Sequence, residues 1–232
     1  ISADPARGDT YVNRGNAYRE QGLGEQAVAD FARAIALDAN DPKAYYNRGK
    51  FDNGRRHYDS ALADLTRAIA LKSDSAEYYF ERGYALGELG KSAPAIVDFT
   101  RAILLDPGLT GAWYRRGLHY RKLGQFDRAA ADLTHVIAQR PDDAAAYQIR
   151  GLVYRQEGRL DLAMADLDRA ISLKPDIVEA YVLRGAGLIS TPMASDEFRS
   201  FGVAGPGEWI TIYAKRGHVF TVVAGLRMDT GW

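Results

Sequence analysis

Cysteine and histidine, two residue types that often carry nucleophilic, acid–base or metal chemistry, are scarce in this 232-residue chain. There is no cysteine, which excludes disulfides, thiolate metal sites and a cysteine nucleophile and leaves the redox compartment undecided. The histidines are too scattered for a metal motif based on spacing. They are His57, His119, His135 and His218. We therefore expect no catalytic residue, no metal site, no cofactor and no enzymatic activity.

Charged side chains recur instead at a fixed interval of 34 residues. An Arg-Gly pair occupies Arg14-Gly15, Arg48-Gly49, Arg82-Gly83, Arg116-Gly117, Arg150-Gly151 and Arg184-Gly185. An aspartate column follows the same period: Asp30, Asp64, Asp98, Asp132 and Asp166. We predict ion pairs between the two columns, within a repeat or across a junction, which set the register of packing. The alternative is a stripe of arginines that binds an acidic ligand.

The elements that must position these charges are helices, because such a period is typical of stacked helical hairpins. The repeats cover 8–41, 42–75, 76–109, 110–143 and 144–177, and a sixth begins at 178. In the first helix of each repeat an aromatic residue precedes the glycine by four positions: Tyr11, Tyr45, Tyr79, Trp113, Tyr147 and Tyr181. We expect the glycine to let a neighbouring helix approach closely beside the ring.

The ends of the helices are also marked in the sequence. Left-handed caps are predicted after the first helices at Gly22, Gly90, Gly124 and Gly158, whereas Arg56 makes the turn of the second repeat less ideal. Each second helix carries apolar residues at spacings of four, three and one, beginning with Ala27, Phe31, Ala34 and Ile35. Pro107, Pro141 and Pro175 stop three of the second helices.

These residues resemble the tetratricopeptide repeat over about residues 1–187, except that arginine stands before the glycine where the family usually has leucine. The resemblance implies an all-α fold of antiparallel helix pairs in a right-handed superhelix, with the first helices lining a concave groove. Some members clamp a terminal carboxylate with Lys and Asn one turn apart. Here Val12 precedes Asn16, so the sequence does not support that clamp.

The groove residues vary between repeats, and their mixture of Tyr, Asn and Arg suits an extended peptide. The predicted peptide-binding residues are Asn13, Asn16, Arg19, Tyr46, Asn47, Lys50, Phe80, Tyr84, Tyr114, Arg115, Arg121, Gln148 and Arg155. We also expect Val12, Asn53, Glu81, Leu118 and Leu152 to face solvent there.

The repeat pattern fails after Leu188. A short helix from Ser195 through Phe201 and a β-hairpin of strands 209–214 and 219–223 are predicted in 188–232, the second domain after the repeat array at 1–187. Gly205-Pro206-Gly207-Glu208-Trp209, Gly217-His218-Val219-Phe220 and the residues up to Thr230 resemble papain-like cell-wall endopeptidases of the NlpC type. The resemblance implies that His218 matches the catalytic base and Asp229 its orienting group. The nucleophilic cysteine would lie near Pro175 and is missing.

The first residues, Ile1–Pro5, match 171–175 in phase, so we expect the chain to begin inside an earlier repeat. An uncapped end favours homodimers or end-to-end packing. The 30 basic and 30 acidic residues balance, which argues against nucleic acid despite a local patch of Arg115, Arg116, Arg121 and Lys122. No membrane span and no signal peptide are expected, and the compartment, cytoplasmic or periplasmic, stays open.

Three functions follow as hypotheses. The first is a non-catalytic scaffold that binds a protein, as a peptide or helix, in the groove. The second is a cell-wall-associated protein whose inactive peptidase-like tail binds peptidoglycan peptides. The third is an enzyme to which another chain supplies the nucleophile.

Overall fold

The computed structural model describes residues 8–174 with their side chains, and the backbone of 212–215, 218–223 and 226–229. Two compact units are present, Ile1–Val136 and Ile137–Trp232. Ten helices lie in 8–174: α1 Gly8–Glu20, α2 Gly24–Leu37, α3 Pro42–Gly54, α4 Tyr58–Leu71, α5 Ala76–Glu88, α6 Ser92–Leu105, α7 Thr110–Lys122, α8 Phe126–Gln139, α9 Ala144–Gln156 and α10 Leu160–Leu173. The predicted boundary at residue 187 and the predicted short helix lie outside the described residues.

The helices alternate between two layers in the first unit. Each first helix packs against the second helix of its own repeat, as α1 does with α2 and α3 with α4. The first helices also contact one another in order, α1 with α3, α3 with α5 and α5 with α7. They therefore form one continuous layer, and we call its outward side chains the first-helix surface. In the second unit α9 pairs with α10.

The core lies between the two helices of each repeat. The first three residues of every predicted apolar stripe are buried, and Phe31, Leu65, Phe99, Leu133 and Leu167 are the large side chains at its centre. Each of these five faces the glycine of its repeat. A Cβ added at Gly15 would lie 2.7 Å from Phe31 Cε1, and one added at Gly49 would lie 2.8 Å from Leu65 Cγ. The prediction of close approach at this glycine is therefore confirmed.

The turns inside the repeats share one geometry. Gly22, Gly90, Gly124 and Gly158 have φ of 74°, 76°, 70° and 83°, as predicted for left-handed caps. Arg56 adopts the same conformation with φ of 64°, at a steric cost that glycine avoids. Its turn still forms the bond typical of this cap, from His57 N to Asp52 O at 2.9 Å. Tertiary packing thus imposes the turn on a residue that does not favour it.

Three strands follow in the second unit: β1 Ile212–Lys215, β2 His218–Val223 and β3 Leu226–Asp229. They form an antiparallel sheet in the order β1-β2-β3, with Tyr213 opposite Phe220 and Val222 opposite Arg227. The sequence analysis did not predict β3, although its four residues, Leu226–Asp229, alternate between apolar and polar. The turn at 216–217 lies outside the described residues, and the hairpin tail as a domain stays a prediction.

Candidate functional site

The recurring arginines are held by the recurring aspartates. In every described repeat Arg Nε and Nη2 donate to the two carboxylate oxygens of the aspartate 16 positions later, at 2.6–2.8 Å. This bidentate arrangement joins the first and second helix of one repeat. Of the two predicted connections, within a repeat or across a junction, the structure shows the first. Hydrogen bonding to aspartate raises the pKa of Arg48, Arg82 and Arg150. The arginine column is part of the scaffold.

The aromatic column completes this scaffold. Tyr11, Tyr79 and Trp113 are half-buried and pack against clusters of buried core residues. The paired guanidinium lies over the ring, with 5.2 Å from Arg14 Cζ to the centre of Tyr11 and 5.0 Å from Arg116 Cζ to that of Trp113. The rings therefore face the protein and not the solvent.

All of the predicted peptide-binding residues lie on first helices. Asn13, Asn16 and Arg19 are on α1; Tyr46, Asn47 and Lys50 on α3; Phe80 and Tyr84 on α5; Tyr114, Arg115 and Arg121 on α7; Gln148 and Arg155 on α9. Asn13 and Lys50 are exposed and the others are half-buried. No observation tests their role in binding, so that role stays a prediction.

The structure brings some of these residues together. Lys50 Nζ lies 3.4 Å from Tyr46 Oη, and Arg115 Cζ lies 4.6 Å from the centre of the Tyr84 ring. Others are engaged elsewhere. Asn47 Nδ2 donates to the backbone oxygen of Lys43 at 2.8 Å. Phe80 packs against the core, with its ring centre 5.9 Å from that of Phe99.

Three residues expected to face solvent do not. Val12 is buried in a cluster with Ala34 and Ala44, because it lies on the side of α1 that meets the next repeat. Asn53 is buried, and its Nδ2 donates to Glu81 O at 3.0 Å and to Glu81 Oε2 at 2.9 Å. Burial raises the pKa of Glu81. Sequence reasoning treated Asn53 and Glu81 separately, although neither residue type recurs at its position in the other repeats.

A pocket of about 430 Å³ opens beside this pair, between α3 and α5. Its walls are Lys50, Asn53, Gly54, Arg56, Tyr58, Glu81, Tyr84 and Glu88. Arg115 lies next to it, with Nη1 3.7 Å from Glu88 Oε1. The pocket therefore combines carboxylates, two phenol rings and basic side chains at the junction of the second and third repeats.

His119 is a buried polar residue that sequence reasoning missed. Its ring stacks on Phe99 with 5.8 Å between centres, and Nδ1 lies 3.1 Å from Ser92 Oγ. The ring fills the space left by Gly87, where a Cβ would clash with it. Burial, and then Lys122 and Arg115, lower the pKa of His119. The absence of a side chain at Gly87 was the signal that could have revealed this packing.

The two residues that carry the endopeptidase resemblance lie at strand ends. His218 opens β2 and Asp229 ends β3, but their side chains lie outside the described residues. Among the side chains of 8–174, no cluster of three or more histidines and acidic residues could hold a metal ion. None of the described helices is long and apolar enough to cross a membrane.

Comparison with known protein families finds matches in the repeat region of the chain. The family model described as tetratricopeptide repeat matches residues 53–109 and 114–176, and a second repeat model matches 15–54. The chain belongs to the tetratricopeptide repeat family. Members are generally non-enzymatic, and the chain shares with them the class of a protein-interaction scaffold. The matches end before the tail, so the endopeptidase resemblance of the tail stays a prediction.

Solved structures of tetratricopeptide proteins share the fold. YrrB, described as having an unusual peptide-binding site, superposes with a TM-score of 0.71 at 24% identity over 78% of this chain and 94% of YrrB. MamA superposes with a TM-score of 0.68 at 26% identity, over 74% of this chain and 94% of MamA. A MamA fragment from Desulfovibrio magneticus RS-1 superposes with a TM-score of 0.62 at 27% identity, over 64% of this chain and 84% of the fragment. No curated protein matches the sequence.

Proposed function

We propose that this tetratricopeptide repeat chain is a non-catalytic scaffold that binds an extended peptide or a helix on its first-helix surface. The observation that carries the proposal is a set of unsatisfied polar atoms. Asn16 Oδ1, Asn53 Oδ1 and Arg121 Nε are buried side-chain atoms without a hydrogen-bond partner in the described region. All three belong to first helices, on α1, α3 and α7.

Leaving a buried polar group without a hydrogen bond costs about 1–3 kcal/mol, so a bound water or a ligand group that supplies the bond would stabilise the protein. A peptide backbone offers both N–H groups for the amide oxygens and carbonyls for the guanidinium. The second helices show the opposite pattern, since their buried aspartates are fully paired with arginine. The polar atoms that remain for a ligand therefore lie on the first helices.

The side chains around these atoms suit a peptide ligand. Tyr46, Tyr84 and Tyr114 supply ring surface with little conformational entropy to lose, and Arg115 and Arg121 supply donors for carboxylates or carbonyls. YrrB, a protein of the same fold, is described as having an unusual peptide-binding site. A peptide is therefore a class of ligand that this fold can accommodate.

The test is a peptide selection followed by mutation. Peptides selected from a random library on the wild-type chain are measured by calorimetry against Tyr114→Ala/Arg121→Ala. We expect a loss of tenfold or more, about 1.4 kcal/mol, typical of truncating a binding hot spot. Arg101→Ala/Leu104→Ala is the matched control, because both residues are exposed on α6, a second helix. Unchanged affinity in the α7 variant, with helicity preserved in circular dichroism, overturns the proposal.

A further inference from the structure

The contact between Asn53 and Glu81 is a specialised feature of one repeat junction. Positions equivalent to Asn53 hold Arg19, Gly87, Arg121 and Arg155, and those equivalent to Glu81 hold Asn13, Asn47, Arg115 and Ile149. The Arg–Asp pairs, by contrast, recur in each repeat because every repeat needs them for packing. A polar pair that occurs once is not required by the repeat fold. A local role therefore accounts for it better than a scaffold role.

The Asn53–Glu81 pair has more acceptor atoms than the Asn53 amide group satisfies. Asn53 is only 4% exposed, and its Oδ1 has no hydrogen-bond partner. The Glu81 side chain is 13% exposed. Its Oε2 accepts from Asn53, whereas Oε1 lies 3.9 Å from Lys50 Nζ, outside hydrogen-bond range. Asn53 thus holds the Glu81 carboxylate in position through Oε2 and leaves Oε1 as the acceptor for a ligand at the pocket wall.

The cations that line the pocket are more exposed than the Glu81 carboxylate. The Lys50 side chain is 44% exposed, and Arg56 is exposed on the turn. Arg115 lies over the Tyr84 ring and beside Glu88. The carboxylate of Glu81 is held by Asn53 and is only 13% exposed, so a ligand cation at the pocket meets it with little competition from water. An N–H-rich cation complements such a wall, and the faces of Tyr58 and Tyr84 are suitable neighbours for it.

We propose that the pocket between α3 and α5 binds the lysine or arginine side chain of a peptide lying along the first-helix surface. The inference rests on the proposed peptide-binding function and names its specificity. A volume of about 430 Å³ is large enough for the side chain of either residue. The ligand cation donates to Glu81 and displaces the Lys50 ammonium from its loose contact. Glu88 at the edge of the pocket adds a second carboxylate.

The probes are heptapeptide mixtures, random except for a fixed central lysine, arginine, methionine or glutamate, titrated into the full chain. We expect the lysine and arginine mixtures to bind best. Glu81→Gln keeps the shape of the side chain and its bond from Asn53, and should weaken these two mixtures about tenfold while leaving the methionine mixture unchanged. Lys50→Met removes the competing ammonium and should tighten them. Glu25→Gln, an exposed glutamate of α2, is the matched control.

The outcomes separate the two proposals. The pocket inference is overturned if peptides bind but the lysine and arginine mixtures bind no more tightly than the others. It is also overturned if Glu81→Gln leaves their affinity unchanged. In both cases the scaffold proposal stands. If the glutamate mixture binds best and loses this preference in Lys50→Met, the pocket binds an anionic side chain, and the pocket inference is overturned. No binding by any mixture overturns both proposals. Because Lys50 is exposed, Lys50→Met should fold normally and keeps the test decisive if Glu81→Gln does not fold.

Discussion

Arg116 binds Asp132 through two hydrogen bonds of 2.8 Å, and its remaining terminal nitrogen reaches back to the preceding repeat. Arg116 Nη1 donates to Thr100 Oγ1 at 3.0 Å. One guanidinium thus joins the two helices of its own repeat and the second helix of the repeat before. Its side chain is 12% exposed, compared with 42% for Arg14 in the first repeat. The same ion pair therefore occurs in different electrostatic environments along one chain.

Replacing the arginine should cost more stability where the pair is more buried. Arg116→Met leaves the Asp132 carboxylate buried without its partner, and we expect a loss of about 3 kcal/mol in the free energy of unfolding. Arg14→Met is the comparison variant and should cost less, because the Arg14 side chain is 42% exposed, although the Asp30 side chain is only 8% exposed. Urea unfolding followed by circular dichroism measures both. Equal losses would show that burial does not control the energy of the pair.

A double variant tests whether the loss comes from the unpaired Asp132 carboxylate or from the missing ion pair. In Arg116→Met/Asp132→Leu both charges are gone, so no buried carboxylate remains unpaired. We expect the double variant to recover most of the stability lost in Arg116→Met. A double variant less stable than Arg116→Met would contradict this account.

Gly49→Ala should destabilise the second repeat, although alanine is the better helix former. The new Cβ would lie 2.8 Å from Leu65 Cγ and 3.2 Å from the backbone oxygen of Ala61, so α3 and α4 must separate. We expect a loss of about 1–3 kcal/mol in unfolding free energy, measured by urea denaturation. Gly54→Ala is the control in the same helix, because a Cβ there meets nothing within 4 Å. It should stabilise by up to about 1 kcal/mol, and a similar loss in both variants would refute the packing argument.

Arg56→Gly should raise the urea midpoint of the chain. Arg56 has φ of 64°, a conformation in which its Cβ is strained and glycine is not. Arg56→Ala removes the same side chain but keeps the Cβ, so it should give no such gain. If alanine stabilises as much as glycine, the effect comes from the lost side chain and not from the backbone.

His119 should make stability fall as the solution becomes acidic. Its folded-state pKa lies below the usual value of about 6.5 because burial disfavours the charged ring. Below that pH the unfolded chain takes up a proton that the folded chain resists, with Lys122 and Arg115 adding to the resistance and Glu88 opposing it. The free energy of unfolding should decrease between pH 7 and 5 by up to about 1.4 kcal/mol per pH unit.

Two variants isolate this effect. His119→Val places there the residue that occupies the equivalent position at 153, and it should flatten the decrease in urea unfolding free energy. His57→Gln changes an exposed histidine and should leave the decrease unchanged. Asp52 and Glu81 have raised pKa values through burial, so their contributions to stability grow on acidification and are common to both variants. An unchanged slope in His119→Val would remove His119 as the cause.

Much of the scaffold could be predicted from residue spacing alone. The 34-residue period identified the five helix pairs, the turn glycines and the apolar stripes, since each repeat must present the same surface to its neighbour. It also identified Arg82 and Asp98 as partners, because two opposite charges that recur at one interval must occupy one relative position in every repeat. For the candidate site it indicated only that variable residues lie on first helices.

Only the tertiary structure decided what the deviations from the repeat do. The period could not show that the Arg–Asp pairs stay within a repeat, that Arg56 takes a left-handed turn, or that Val12 is buried. Nor could it show that Asn53 meets Glu81, 28 positions away, or that His119 fills the space of Gly87. A sequence pattern records what repeats share, whereas these contacts depend on distances between side chains that occur once. The specificity of the chain is expected in those single contacts.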